Sequence, residues 1–267
     1  MQKLKLPSGL KQAGPEPGSG AESEAEDAAE LLAIEAWEAS EERDPTDPYR
    51  VLGSSPKEDS VALETRYQQK AQAFEKVVQG VSRVLALRLR RAYALLGDAE
   101  RRKEVDRVRA ERIGRKAYAR LRFANGMYEG GVDPESMKEG VEPVRSGKGV
   151  SVLASGEKYE GDFAHGMRHG VGLSFWASGD LYLGGWAEDK MSGHGCYFYS
   201  NGMRYVGEFV DGKRHGAGRQ IWPDGVRYVG EFADGHRSGR GVLKLPKDAD
   251  GSSRGRYEGE WREGDLE

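Results

Sequence analysis

The chain has 267 residues, 32% of them charged and 37% hydrophobic, with a formal net charge of -3 at pH 7 and a sequence pI near 6.1. That length leaves room for two domains with thin cores, and so balanced a charge excludes a global pull toward nucleic acid or an anionic bilayer. The single cysteine, Cys196, excludes an intrachain disulfide and fits a reducing compartment, and no apolar run approaches the length of a membrane span or a signal-peptide core.

Residues 1–30 are rich in Pro, Gly, Ser, Ala and Glu, and Pro15-Glu-Pro17-Gly-Ser-Gly20 cannot build regular structure. From Glu16 to Asp44 the acidic residues outnumber the basic ones eleven to one, while Leu31, Leu32, Ile34 and Trp37 are spaced to line one side of a short helix. Residues 1–44 are therefore expected to form an acidic, mostly disordered tail: either a solvated segment or a helix that docks on a basic surface. Such a surface follows, because Leu63 to Arg122 carries 17 Lys and Arg against 7 Asp and Glu. Arg83, Arg88, Arg90 and Arg91 are its candidate contacts.

Over residues 45–117 the apolar spacing predicts a small helical bundle. Val61, Tyr67, Ala71 and Phe74 recur at helical intervals. Val84, Leu87, Leu89, Ala92, Tyr93, Leu95 and Leu96 make a second amphipathic helix that stops at Gly97-Asp98. A third, from Ala99 to Ala119, is anchored only by Val105, Val108, Ile113 and Tyr118. Asp47-Pro48-Tyr49-Arg-Val51-Leu52-Gly53, Tyr67-x-x-x-Ala71, Ala92-Tyr93-x-Leu95-Leu96-x-Asp98 and Arg101-Arg102-Lys103-x-x-Asp106 resemble, in order and spacing, the J domain of DnaJ-type cochaperones. In that family a His-Pro-Asp tripeptide after the second helix stimulates a DnaK-type ATPase. The matching positions here are Glu75, Lys76 and Val77, and His-Pro-Asp occurs nowhere in the chain. The resemblance thus implies a J-like scaffold that binds and does not stimulate.

From Tyr159 onward one phrase repeats: Tyr159-Glu-Gly161-Asp-Phe163, Tyr182-Leu-Gly184-Gly-Trp186, Tyr205-Val-Gly207-Glu-Phe209, Tyr228-Val-Gly230-Glu-Phe232 and Tyr257-Glu-Gly259-Glu-Trp261. The first four tyrosines are 23 residues apart and the last interval is 29, so a fixed unit with one insertion accounts for all five. Tyr, Gly and aromatic at i, i+2 and i+4 share one face of a strand. Asp211-Gly212 and Asp234-Gly235 are hairpin turn pairs, and Pro223-Asp-Gly225 and Ser200-Asn-Gly202 close the units. Gly-x-Gly pairs such as Gly216/Gly218 leave room for an aromatic of the neighbouring strand. A lone hairpin is marginal, so the units must stack into an antiparallel sheet. The pattern Tyr-x-Gly-x-(Trp/Phe)-x-x-Gly-x-x-x-Gly-x-Gly resembles the MORN repeat over residues 159–264. One more copy at Tyr128-Glu-Gly130-Gly-Val132 has a hairpin turn swollen around Asp133 to Val144, and a half repeat at Arg122 to Met127 caps the array. Asp189 departs from the pattern where other units carry a turn glycine. MORN arrays are interaction and assembly modules, so the resemblance implies binding.

No catalytic, cofactor or metal site is expected. His165, His169, His194, His215 and His236 lie in or beside turns without repeating ligand partners. Gly207 to Arg214 falls one residue short of a phosphate loop and is a strand and turn of a repeat. Glu208 and Glu231 alternate to the face away from the aromatics, as solvated strand residues do. Arg168, Lys190, Lys213, Arg214 and Arg237 recur near the turns as a basic stripe, yet residues 128–267 hold 18 basic against 23 acidic residues. At about 1 kcal/mol per basic side chain near an anionic surface, such a stripe gives only weak lipid adsorption.

The expected fold class is α+β, a J-like helical bundle at 45–117 followed by an antiparallel β-hairpin solenoid at 118–267. The expected function is a non-enzymatic scaffold binding protein partners or a second copy of the chain, with no nucleic acid. The competing readings are a derived cochaperone and a membrane-surface tether. The candidate partner site is an apolar groove lined by Tyr159, Phe163, Tyr182, Trp186, Tyr205, Phe209, Tyr228, Phe232, Tyr257 and Trp261. The compartment expected is the cytoplasm or another reducing one, with cytoskeletal or membrane association left open.

Overall fold

The computed structural model describes residues 57–75, 90, 92–114, 118–138, 142–246 and 255–266. The expectations for residues 1–44, for Asp47 to Gly53, for Lys76 and Val77, and for Arg83, Arg88 and Arg91 lie outside them. The described residues belong to two compact units, divided between Asp189 and Lys190.

In the first unit, helix α1 (Ser60–Glu75) starts at Asp59, whose Oδ1 accepts the Ala62 N–H at 2.8 Å. Helix α2 (Ala99–Gly114) starts at Asp98, whose Oδ1 accepts the Arg101 N–H at 2.8 Å. Both are side-chain caps that satisfy orphan donors of a first turn. Leu63 of α1 is buried with Ala92 and Leu96 of the helical segment 92–97, flanked by Tyr67, Tyr93 and Val105. Tyr67 and Tyr93 stack with centroids 4.7 Å apart. The third helix expected to reach Ala119 instead ends at Gly114, and Tyr118–Phe123 is strand β1. From Ala119 the apolar residues alternate with Arg120 and Arg122, a period of two that a strand uses and a helix does not.

Strands β2 (Gly126–Val132), β3 (Arg145–Leu153), β4 (Lys158–Ala164), β5 (Met167–Phe175) and β6 (Leu181–Ala187) complete this unit, each antiparallel to its chain neighbour. The second unit repeats the plan in β7 (Lys190–Phe198), β8 (Arg204–Val210), β9 (Lys213–Ile221), β10 (Arg227–Ala233), β11 (His236–Lys244), β12 (Arg256–Arg262) and the two-residue β13 (Asp265–Leu266). Each unit is thus built on an antiparallel hairpin sheet whose strands follow chain order.

The hairpin connections are two-residue turns at the pairs the sequence marked. Val210 pairs with Lys213, so only Asp211 and Gly212 form the loop, with φ of 51° and 81°. Two positive φ values mark the turn whose twist matches the flanking strands. At Glu188 and Asp189 the same conformation is held without glycine, at φ of 49° and 66°. The swollen connection after β2 is closed by the Asp133 N–H donating to the Val144 carbonyl at 2.8 Å and by the Val144 N–H donating to Ser136 Oγ at 2.8 Å.

Candidate partner-binding face

Each repeat tyrosine lies on the face it shares with the aromatic four residues later, and the rings interlock edge to face. Tyr205 meets Phe209 at 5.1 Å and Phe232 at 4.9 Å; Tyr228 meets Phe232 at 5.3 Å and Trp261 at 4.9 Å. In the first unit Tyr159 sits between Phe163 at 5.1 Å and Trp186 at 5.3 Å, and Tyr182 meets Trp186 at 5.4 Å. The expected open groove is corrected by this packing. Tyr159, Phe163, Tyr182, Trp186, Tyr205, Phe209, Tyr228, Phe232 and Trp261 are all at most 5% exposed, and only Tyr257 is half-buried. The rings face one another because that removes more apolar area from water than an open trough would.

The polar ends of these rings are satisfied from within. Three hairpins, β4 with β5, β8 with β9 and β10 with β11, are bulged, with register shifts at Gly161/Asp162, Gly207/Glu208 and Gly230/Glu231. The tyrosine hydroxyl donates to a carbonyl three residues further along the chain: Tyr159 to Asp162 O at 2.8 Å, Tyr182 to Gly185 O at 2.9 Å, Tyr205 to Glu208 O at 3.0 Å and Tyr228 to Glu231 O at 3.1 Å. Tyr128 does the same to Gly131 O at 2.6 Å. Burial pushes the Tyr228 phenol up to about 12 and raises Tyr128, Tyr159 and Tyr205 further still. The indoles of Trp186 and Trp261 donate to Gly172 O at 3.3 Å and Gly241 O at 3.1 Å.

The two glycines of each Gly-x-Gly pair have different tasks. Gly216 sits in the bulge at φ 55°. Gly218 lies under the preceding tyrosine, where a Cβ would come within 2.3 Å of the Tyr205 hydroxyl oxygen. Glu231, expected to be merely solvated, and Asp162 also tie down the bulge: Asp162 Oδ2 accepts the Val171 N–H at 3.0 Å and Glu231 Oε1 the Arg240 N–H at 3.3 Å.

The basic stripe divides into two sets. Lys190 pairs with Asp211 at 2.7 Å and Lys213 with Asp234 at 3.1 Å, each reaching the next turn. Arg168 also pairs with Asp189 at 2.9 Å, but its Cζ lies 4.2 Å from the Trp186 centroid. Arg214 lies over Phe232 and Tyr205 at 5.4 and 5.7 Å, and Arg237 over Trp261 at 4.4 Å. Their guanidiniums donate to the carbonyls of Asp189, Gly235 and Gly264, and those turns return an N–H to the carbonyl of the same arginine. Each arginine therefore roofs a ring pair and staples the next turn. Arg145 belongs to this series, 5.2 Å from the Phe163 centroid. It was not singled out in the sequence, although positions 145, 168, 191, 214 and 237 read Arg, Arg, Met, Arg, Arg at the 23-residue period. Desolvation holds the Arg237 guanidinium below its usual range.

Of the basic surface, Arg90 alone lies among the described residues, and it is exposed. Among those residues no group of three His, Cys, Asp or Glu is placed to hold a metal ion, and no helix is long and apolar enough to cross a membrane. Cys196 is a free, buried thiol.

Comparison with known proteins agrees with this geometry. Five consecutive segments, 159–181, 182–204, 205–227, 228–248 and 257–266, match the MORN repeat. The hairpin carrying Tyr128 lies upstream of the matched segments but has the same ring burial and the same hydroxyl-to-carbonyl bond. No curated protein matches the chain. Among solved structures, the SAS-4 (dCPAP) TCP domain in complex with a proline-rich motif of Ana2 (dSTIL) of Drosophila melanogaster is 12% identical. The match covers 55% of this chain and 92% of that one at a TM-score of 0.20, a level that carries no inference about fold or function.

Proposed function

We propose that this chain is a non-enzymatic scaffold or assembly subunit that binds protein partners through its MORN repeats. The observation that carries the reading is a run of five consecutive MORN-type hairpin units whose aromatic groups are engaged in holding the hairpins together. MORN-repeat proteins are generally binding proteins, in line with this. The helices around Leu63, Ala92 and Leu96 act in this proposal as a J-like module without His-Pro-Asp, a second docking element and not a stimulator of a chaperone ATPase. The acidic segment Glu22 to Asp44 docks on the arginine-rich face that includes Arg83, Arg88, Arg90 and Arg91. A membrane-surface tether is disfavoured because the exposed Lys190 and Lys213 are paired with Asp211 and Asp234. The free thiol fits a reducing intracellular compartment.

Affinity capture with the full chain, followed by chemical cross-linking, tests the proposal. Cross-links from a co-purifying protein should fall within residues 118–267. Capture of no protein, together with co-sedimentation on phosphatidylserine vesicles, would replace the scaffold with the tether.

A further inference from the structure

The face that carries the tyrosines also carries, directly across the ladder, one filler residue per repeat. Ser151 pairs with Tyr128 and Tyr159, Ser174 with Tyr159 and Tyr182, and Tyr197 with Tyr205; Gln220 pairs with Tyr205 and Tyr228, and Leu243 with Tyr228 and Tyr257. Residues directly opposite in an antiparallel pair share a face. Three positions are thus filled by large side chains and two by serine. Where the serines stand, the first unit has a cavity of about 270 Å³ lined by Ser151, Ser174, Tyr159, Phe163, Trp176 and Arg145 among others.

The filled repeat indicates what belongs in the empty one. Six residues after its roofing arginine, Arg214 finds Gln220, only 7% exposed, and donates to its Oε1 at 2.9 Å. The residues six after Arg145 and Arg168 are Ser151 and Ser174, shorter side chains with a hydroxyl in place of the amide. Two of the other cations in the lining are engaged, Arg168 with Asp189 at 2.9 Å and Lys158 with Glu160 at 3.1 Å. Arg145 has ring contacts at 5.2 to 6.0 Å and no carboxylate partner among the described residues.

We propose that this cavity receives the carboxylate side chain of a glutamate or aspartate from a partner protein, seated against Arg145 as Gln220 is seated against Arg214. The aromatic walls accommodate the methylene stem, and a guanidinium over a ring is suited to a carboxylate. Glu157 and Asp189 line the same space, so a phosphate dianion meets about twice the repulsion that a monoanion does. The inference rests on the protein-binding reading of the repeats and names the chemistry of that partner.

Selection of phage-displayed random peptides on the full-length protein tests it, with a Ser151→Gln/Ser174→Gln variant in which the chain fills its own cavity. An Arg145→Met variant, which introduces the residue type natural at position 191, serves as the second probe. Wild type should enrich peptides containing Glu or Asp. Either variant, folded by circular dichroism, should bind them at least tenfold more weakly, and Glu→Gln in the peptide should have the same effect. Peptides without acidic residues, or equal binding by the variants, would overturn the proposal and leave the scaffold reading standing. Failure to select any peptide would overturn both, and binding of phosphatidylserine vesicles that Ser151→Gln/Ser174→Gln abolishes would reassign the cavity to a lipid headgroup.

Discussion

Gly218→Ala adds one methyl group, and the structure places that methyl 2.3 Å from the Tyr205 hydroxyl oxygen and 2.6 and 2.7 Å from two of its ring carbons. The ring cannot swing aside freely. It is fully buried, held edge to face by Phe209 and Phe232 at 5.1 and 4.9 Å, and bonded through its hydroxyl to Glu208 O. Forcing a carbon into a close-packed site costs about 1 to 3 kcal/mol, and a displaced hydroxyl forfeits about 1 kcal/mol more. Against this, the reduced freedom of the unfolded chain returns about 0.4 to 1 kcal/mol. The net expectation is a loss of about 1 to 3.5 kcal/mol. Urea denaturation of the full chain, followed by tyrosine and tryptophan fluorescence, measures it. Gly212→Ala is the control: it is strained by its φ of 81° but has no atom within 4 Å of the added methyl, so its cost is backbone strain alone. A Gly218→Ala protein as stable as wild type would refute the claim that glycine is there to admit the ring.

Arg214→Met should cost about 2 kcal/mol in the same assay, because a charged hydrogen bond to Gly235 O and a cation–π contact are lost together. Phe209→Ala should cost roughly 3 to 5 kcal/mol as an emptied core aromatic site, read as a lowered urea midpoint. Asp234→Asn, which breaks an exposed pair with Lys213, should change stability by less than about 0.5 kcal/mol. Alkali should unfold the array selectively. A phenol whose folded pKa is raised above its unfolded value of 10.0 is neutral in both states below pH 10, so its contribution is fully present there and is lost as pH rises through the folded value. With Tyr128, Tyr159, Tyr205 and Tyr228 all raised, stability should be flat to about pH 9 and fall steeply above 10, at roughly 1.4 kcal/mol per pH unit for each phenol. Absorbance at the phenolate band checks this; full ionisation of every tyrosine by pH 10.5 in the folded protein would contradict it.

Spacing alone revealed the hairpin period, because Tyr, Gly and aromatic at alternating positions constrain one strand face whatever the neighbours do. The copy at Tyr128 was legible for the same reason. The closure of the rings was not, since the identity of a tyrosine does not say whether it borders solvent or another ring. That depends on cross-strand register, which the bulges shift after Gly161, Gly207 and Gly230. The roles of Asp162 and Glu231 were hidden by the same bulges: alternation sends them to the outer face, and only the extra residues bring an unpaired N–H within their reach. Arg145 was overlooked because the insertion before it breaks the phrase, although the 23-residue count from Arg168 finds it. The third helix was extended too far because arginines at 120 and 122 satisfy a helical surface as readily as a strand edge; Gly114 and the alternation beyond it were the available signals.

The central claim is that the array is closed where its repeats are filled and receptive where they are not. Amide hydrogen exchange of the full chain, with and without a protein captured by it, tests this most directly. The account predicts added protection in β3, β4 and β5 around Ser151 and Ser174, with β8 to β11 around the filled position of Gln220 unchanged. Added protection confined to β8 to β11, with β3 to β5 unaffected, would contradict it.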